Sequence, residues 1–371
     1  IIGSCYFLGL GEVFQEMGPG AVIISYVIAG LCIYGVMQSF AELLVNIPRR
    51  GSFVSYTREF MGDIASTGIG WAFWVNWVFY IPSEALATGV FMSYFIKLPF
   101  GSAANAFIWG VLALALLTLI NIYQVKWFGH IESVLAIIKI AAVAMFIVLA
   151  IIIWFGWIGG DLHPYTDAKG FIGTKVMLGG TGTTMHKLFP FGGIVIVSWM
   201  IWTLVNFQGS EIVGLSASET QDPAKNVPAA CKKVAVRIVL IYLIPVCLLS
   251  LLVPYAEASL DISLFTQCLV AYGLKWAAGL FNFVTLVAAF SCANSGLYGT
   301  VRSLYGLSVE GMAPKFLSNL NRYNVPMNAT LFTIVPIWFV FLFFFAVQEL
   351  GVLGEDNPVY VILLGASGFT G

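Results

Sequence analysis

The segment "FQGSEIVGLSASETQDPAKNVP" (207–228) follows without pause on the apolar run "GGIVIVSWMIWTLVN" (192–206). A continuous membrane helix has no use for Gln208, Gly209, Ser210 and Glu211 at this depth. A carboxylate near a helix centre costs roughly 2.5–3.5 kcal/mol on insertion scales. Backbone that leaves a helix inside a bilayer is tolerated only where it faces protein or a cavity. The segment therefore reads as a helix that comes apart mid-membrane to hold a solute.

Composition sets the medium. Of 371 residues, 60% are hydrophobic, 15% aromatic and only 9% charged, with mean hydropathy +0.93. Soluble domains carry about 25% charged residues, so this chain cannot cover a water-facing surface and is expected to be an all-α integral membrane protein in the lipid bilayer. Net charge is −1, which gives no field for nucleic acid. The six cysteines (Cys5, Cys32, Cys231, Cys247, Cys268, Cys292) show neither CxxC spacing nor a secreted disulfide pattern and read as small membrane-helix residues. Without a Walker loop, nucleophile elbow or HExxH, no enzyme, cofactor or metal centre is expected.

Windows of about 20 apolar residues mark spans at 1–16, 20–47, 68–97, 104–123, 131–158, 190–217, 233–256, 274–309, 328–348 and from 357 onward. The chain opens and closes inside apolar runs, "IIGSCYFLGLG" and "VYVILLGASGFTG", so it reads as truncated at both ends. Alternate connections hold eleven basic residues (Arg49, Arg50, Arg58, Lys126, Lys225, Lys232, Lys233, Arg237, Arg302, Lys315, Arg322) against five opposite (Lys97, Lys169, Lys175, Lys187, Lys275). The richer side is expected in the cytoplasm, which puts the missing N-terminus there and the loop 159–189 outside. That loop carries His163 and His186 without metal-like spacing and reads as a lid or linker.

The first and sixth spans share an interruption by small residues: Gly3, Ser4, Cys5, Gly9 and Gly11 in one, Gly209, Ser210 and Gly214 in the other. Close helix packing is the plain explanation of either alone. As a pair at matching places in two five-helix halves, they point to a transporter site. N–H groups opening a half-helix suit a carboxylate, and freed carbonyls suit an ammonium, so the expected ligand is a zwitterion.

Lys139 lies about nine residues into "VLAIIKIAAVAMFIVLA", too deep to snorkel, with Glu132 seven positions earlier on the same face. Desolvation penalises a charged amine, so Lys139 is a candidate proton carrier, with a structural ion pair as the competing reading. Two further stripes, Asn76–Tyr80–Glu84–Thr88 and Ser291–Asn294/Ser295–Tyr298–Arg302, are expected to turn inward around a cavity. Helix–helix hydrogen bonding explains each stripe alone equally well. Trp71, Trp74 and Trp77 read as interfacial or packing aromatics. Glu16 is expected to be wetted; Glu12 lies deeper, placed to attract a cationic side chain.

Several long stretches in order, among them "IIGSCYFLG", "MGPGAVIISYVIAGLCIYGVM", "FGHIESVLAIIKIAAV", "FQGSEIVGLSASETQDPAKNVPAACKKV" and "SCANSGLYGTVRSLYGLSVEGMAPKFL", resemble amino acid permeases of the amino acid–polyamine–organocation superfamily over essentially the whole chain. Phe207-Gln208-Gly209-Ser210-Glu211 with the downstream "DPAKN" is most similar to permeases for lysine and other basic amino acids. The resemblance implies a LeuT-like five-plus-five inverted repeat within twelve helices, with discontinuous helices 1 and 6. Helices 1–5 then fill 1–158 (helix 1 incomplete), an extracellular loop 159–189, and helices 6–10 fill 190–371 (helix 10 incomplete). It also implies that Lys139 stands where sodium-driven relatives bind sodium, hence proton coupling, that Glu211 ties substrate binding to coupling, and that Glu219 matches a family acid. The chain departs from the pattern at Gly3-Ser4-Cys5 (usually Gly-Thr-Gly), at Glu12, at His130 (commonly glutamate) and at Ser218 (commonly glycine).

The expectation is a proton-coupled symporter in the cell membrane that imports lysine or other basic amino acids by alternating access. Gly3, Ser4, Cys5, Phe207, Gln208, Gly209, Ser210 and Glu211 bind the small-molecule substrate; Lys139 and Glu211 couple it to protons. Asn76, Tyr80, Glu84, Ser291, Asn294 and Ser295 are supporting polar residues. An exchanger, a permease for neutral or aromatic amino acids, and a non-transporting receptor on the same scaffold are the alternatives; oligomeric state is not legible.

Overall fold

The computed structural model describes residues 2–47, 53–123, 128–158, 188–210, 229, 231, 233–258, 261–321, 325–350 and 359–368. Among them every regular element is helical. The first span is split into α1 (Ser4–Phe7) and α2 (Leu10–Met17). Then come α3 (Pro19–Asn46), α4 (Phe53–Met61), α5 (Asp63–Ser93), α6 (Ser102–Tyr123) and α7 (Phe128–Trp154). The sixth span opens as α8 (Ile194–Ser198) and α9 (Met200–Val205). It is followed by α10 (Lys233–Leu252), α11 (Leu264–Ala271), α12 (Lys275–Val309), α13 (Met327–Glu349) and α14 (Val359–Gly368).

Among the described residues, six helices (α3, α6, α7, α10, α12 and α13) are long and apolar enough to cross a membrane. The spans outside that set are informative. The first and sixth fall short because each is in pieces. α5 is 31 residues long but carries Asn76, Tyr80, Glu84 and Thr88, all buried. It begins at Asp63 and ends at Ser93, displaced from the apolar window 68–97, because "DIAST" continues the helix in polar residues. The short helix α4 was invisible to a search for 20-residue runs. It is tied to α5 where Ser66 Oγ donates to Val54 O at 2.7 Å.

α5 is the axis of the packing, lying against α4, α6, α12 and α14. Two glycines set its depth. A Cβ on Gly296 of α12 would stand 2.0 Å from the Trp77 ring, and one on Gly89 would stand 1.9 Å from Ala106 O of α6. Small residues let membrane helices approach at backbone distance, and Trp77 fills the space so made, fully buried against Phe73 and Tyr80. It is a packing aromatic.

Gly89→Ala must push α5 from the α6 backbone, and overpacking of this kind costs about 1–3 kcal/mol. Gly68→Ala meets nothing within 4 Å. Thermal unfolding of the purified protein is expected to show a clear loss for the first and none for the second.

Candidate solute site

The first interruption is built by Gly3 and Gly9. Gly3 is extended (φ −113°, ψ −170°) and caps α1. One turn later Leu8 N and Gly9 N both donate to Ser4 O, at 2.7 and 3.3 Å. A Cβ on Gly9 would lie 2.8 Å from Cys5 O, so a larger residue would undo this fold-back. The second interruption follows Val205, where Phe207 N and Gln208 N tighten onto Leu204 O and Val205 O (2.9 and 3.1 Å). Gly209 then takes φ +89°, a left-handed conformation that glycine alone adopts without strain. Ser210 Oγ closes the turn by donating to Phe207 O at 2.8 Å. The helix thus stops at Val205, short of the window that ran to 217. Glu211, Gly214 and Glu219 lie outside the described residues.

Tyrosine and phenylalanine rings bring the two interruptions together. Tyr6 lies edge-on to Tyr26 and Tyr242, with centroids 6.4 and 4.8 Å apart; Phe207 meets the same two rings at 6.1 and 4.7 Å. Cys5 Sγ stands 3.9 Å from Trp202 O of α9. α10 supplies the anchor. Ile238–Leu243 is a π-helical turn, and Pro245 has no N–H to give Ile241 O four residues back. Tyr6 Oη donates to that carbonyl at 2.6 Å. π turns of this sort gather at functional sites.

Around this junction, five buried polar atoms among the described residues lack a hydrogen-bond partner: Tyr26 Oη, Tyr242 Oη, Asn206 Oδ1, Gln208 Nε2 and Arg237 Nε. A buried polar group left unpaired costs about 1–3 kcal/mol. A solute carrying donors and acceptors would satisfy them. Arg237, at the start of the π turn, donates to Ser210 Oγ.

The other side of the junction is acidic. Ser4 N donates to both oxygens of Glu84, at 2.8 and 2.9 Å, and Glu84 is fully buried. A Cβ on Gly3 would be 2.2 Å from Glu84 Oε1 and 2.7 Å from both Cys292 Sγ and Tyr80 Oη, so three side chains converge on that glycine. Ser4 Oγ lies 3.1 Å from Tyr360 Oη of α14. Tyr360 and Leu8 also line a cavity of about 690 Å³ that opens at the end of the bundle where α5 finishes and α6 begins, with Lys97 and Asp261 in its wall.

The remaining expected residues scatter. Lys139 is 3% exposed and donates to Ser291 Oγ at 2.7 Å; Glu132 lies 3.8 Å away. Asn294 faces away from the junction and accepts from Asn121 Nδ2 at 2.7 Å. Asn76 and Ser295 are buried, with Asn76 Oδ1 unpartnered. Arg302 is exposed and sits over the Tyr298 ring at 4.4 Å. The α12 stripe therefore divides: Ser291 serves Lys139 and Asn294 serves α6. Glu16 is exposed and Glu12 is half-buried.

A multi-pass helical membrane protein whose broken helices meet over unpaired polar groups is built like a permease for a small solute. The family model for amino acid permeases matches residues 1–371. The lysine-specific permease LysP of Escherichia coli (strain K12) is 33% identical over 378 residues, covering all of this chain and 72% of the relative. The gamma-aminobutyric acid permease of Bacillus subtilis (strain 168) is 33% identical over 330 residues (89% and 66%). The L-asparagine permease of Salmonella typhimurium is 34% identical over 346 residues (90% and 64%). The chain belongs to the amino acid permease family, a family of transporters and not of enzymes.

Tyr26, Asn206, Tyr242, Cys292 and Tyr360 were not singled out from sequence. The signal for the tyrosines was present, a hydroxyl inside an apolar run such as "IVLIYLIP". Its position beside another helix's break is tertiary information.

Gly3→Ala displaces the far ends of flexible side chains rather than backbone. It would force the Glu84 carboxylate off the Ser4 amide, so it is expected to lower stability by about 1.5–3 kcal/mol and to weaken equilibrium binding of a labelled amino acid at least tenfold, which is about 1.4 kcal/mol.

Proposed function

We propose that the chain forms the transport core of a secondary active permease of the cell membrane, with its richer basic side in the cytoplasm, that imports lysine or another basic amino acid together with protons by alternating access. The observation that carries this reading is the meeting of two interrupted spans over buried, unpaired polar atoms (Tyr26 Oη, Tyr242 Oη, Asn206 Oδ1, Gln208 Nε2, Arg237 Nε). Helix breaks at the middle of a bilayer are the means by which transporters expose backbone groups to a solute. The arrangement would suit the five-plus-five repeat that the paired breaks suggest, with halves at 1–158 and 190–371.

Gly3, Ser4 and Cys5 offer backbone N–H groups to the substrate carboxylate; Phe207, Gln208, Gly209 and Ser210 offer carbonyls and side chains to its amino group. Glu84 refines that picture, because its carboxylate already holds the Ser4 amide at 2.8 Å. An arriving carboxylate displaces it, and the released Glu84 then faces the cationic part of the same substrate. A cationic side chain is thereby favoured, in keeping with the lysine-specific permease among the relatives. Glu211 is assigned to coupling by its place in the motif, and Lys139 carries the proton. Asn76, Tyr80 and Ser295 support the site, and Ser291 supports Lys139.

Uptake of labelled lysine into proteoliposomes containing the full-length protein, with a panel of unlabelled amino acids as competitors, tests the substrate. Arginine and ornithine are expected to compete, and leucine and phenylalanine not to; the reverse order would refute a basic substrate. Lys139→Ala is expected to abolish accumulation driven by a proton gradient, by at least about tenfold.

A further inference from the structure

Beside α7, three side chains are linked in a fixed order. Lys139 Nζ donates to Ser291 Oγ at 2.7 Å, and Ser291 Oγ donates to a Glu132 carboxylate oxygen. The lysine and glutamate themselves stand 3.8 Å apart, beyond hydrogen-bond reach. A serine hydroxyl has one proton to give, an ammonium only donates and a carboxylate only accepts. Once Ser291 has given its proton to Glu132, it meets Lys139 solely as an acceptor. The chain of bonds therefore runs one way, Lys139 to Ser291 to Glu132. Exposure rises along it: the Lys139 side chain is 4% exposed and that of Glu132 24%. Glu132 also lies about one turn from the start of α7 at Phe128.

We propose that Ser291 and Glu132 are the release arm for the proton carried by Lys139, with Glu132 its terminal acceptor. This rests on the proton-coupled reading above and adds to it a direction and two positioning residues. In the step, an N–H bond of the Lys139 ammonium breaks as a new Oγ–H bond forms on Ser291. The proton that Ser291 held passes to the Glu132 carboxylate. Serine ends as it began, while the lysine becomes a neutral amine and the glutamate a neutral acid. An ion pair is exchanged for a neutral pair, so no net charge is created inside the bilayer, where charge is expensive. Glu132 then loses the proton on the side where α7 begins, and Lys139 is recharged from the opposite side with the next solute. Cys292, the next residue along α12, faces Gly3 and Glu84 instead, so the relay and the solute junction sit on adjacent residues of one helix.

The test uses the full-length protein in proteoliposomes with an entrapped pH dye and radiolabelled lysine, and reads protons entering per lysine moved. Ser291→Ala and Glu132→Gln are expected to lower that ratio at least about fivefold. Ser291→Thr, which keeps the hydroxyl, is expected to restore it to within about twofold of wild type. An unchanged ratio in Ser291→Ala or Glu132→Gln overturns the relay while leaving proton-coupled transport intact. A ratio that falls equally in Ser291→Thr overturns it too, since packing and not the hydroxyl would then be at work. Wild-type protein that exchanges lysine without moving protons removes proton coupling itself, and the relay with it. Should Glu132→Gln unfold, the two serine variants carry the decision alone.

Discussion

Glu84 has no exposed surface and lies deep within a 31-residue helix, yet both its oxygens stand within 2.9 Å of one backbone amide, that of Ser4. Hydrogen bonds to charged groups are worth about 1.5–3 kcal/mol, and the amide they satisfy would otherwise be an orphan at membrane depth. Much of the molecule is arranged to make that contact. Gly3 leaves room for the carboxylate, and Gly296 lets Trp77 seat α5 against α12. Tyr360 reaches across from α14 to the Ser4 hydroxyl. The interrupted first span is stable because a neighbouring helix answers for the backbone groups that the interruption exposes.

The same logic holds at the junction with the sixth span, by other means. Pro245 removes a donor from α10, and Tyr6 of the first span supplies one to Ile241 O. Aromatic rings then clamp Phe207 between Tyr26 and Tyr242. Among the groups that the described residues leave unanswered are several hydroxyl and amide groups gathered at the meeting point. Their clustering where two interrupted spans meet, and not the mere fact of being unpaired, is what points to a missing partner, since Asn76 Oδ1, Trp77 Nε1 and Asn282 Oδ1 are unpaired elsewhere.

The sequence revealed the breaks and hid what fills them. Small residues inside apolar runs, as at Gly3, Gly9 and Gly209, are a local signal, and local signals survive without a structure. The charge on Lys139 and its spacing from Glu132 were legible for the same reason. The hydroxyl between them was not, since Ser291 lies on another helix 152 residues away. The polar stripe on α12 looked like one surface because helical periodicity assigns faces to a cylinder. Its neighbours differ along its length, so Ser291 and Asn294 answer to α7 and α6 separately. Glu84 ranked as one supporting residue among six because nothing in its own helix shows which backbone amide lies opposite.

The central claim is that the two interruptions face a solute. Hydrogen–deuterium exchange of the full-length protein in lipid, with and without lysine, reads this most directly. Amides in segments 3–9 and 206–210 are expected to exchange faster than those of the flanking helices, and to become protected together when lysine is added. Segments that exchange as slowly as helix interiors, and do not respond to lysine or any other amino acid, would contradict the account.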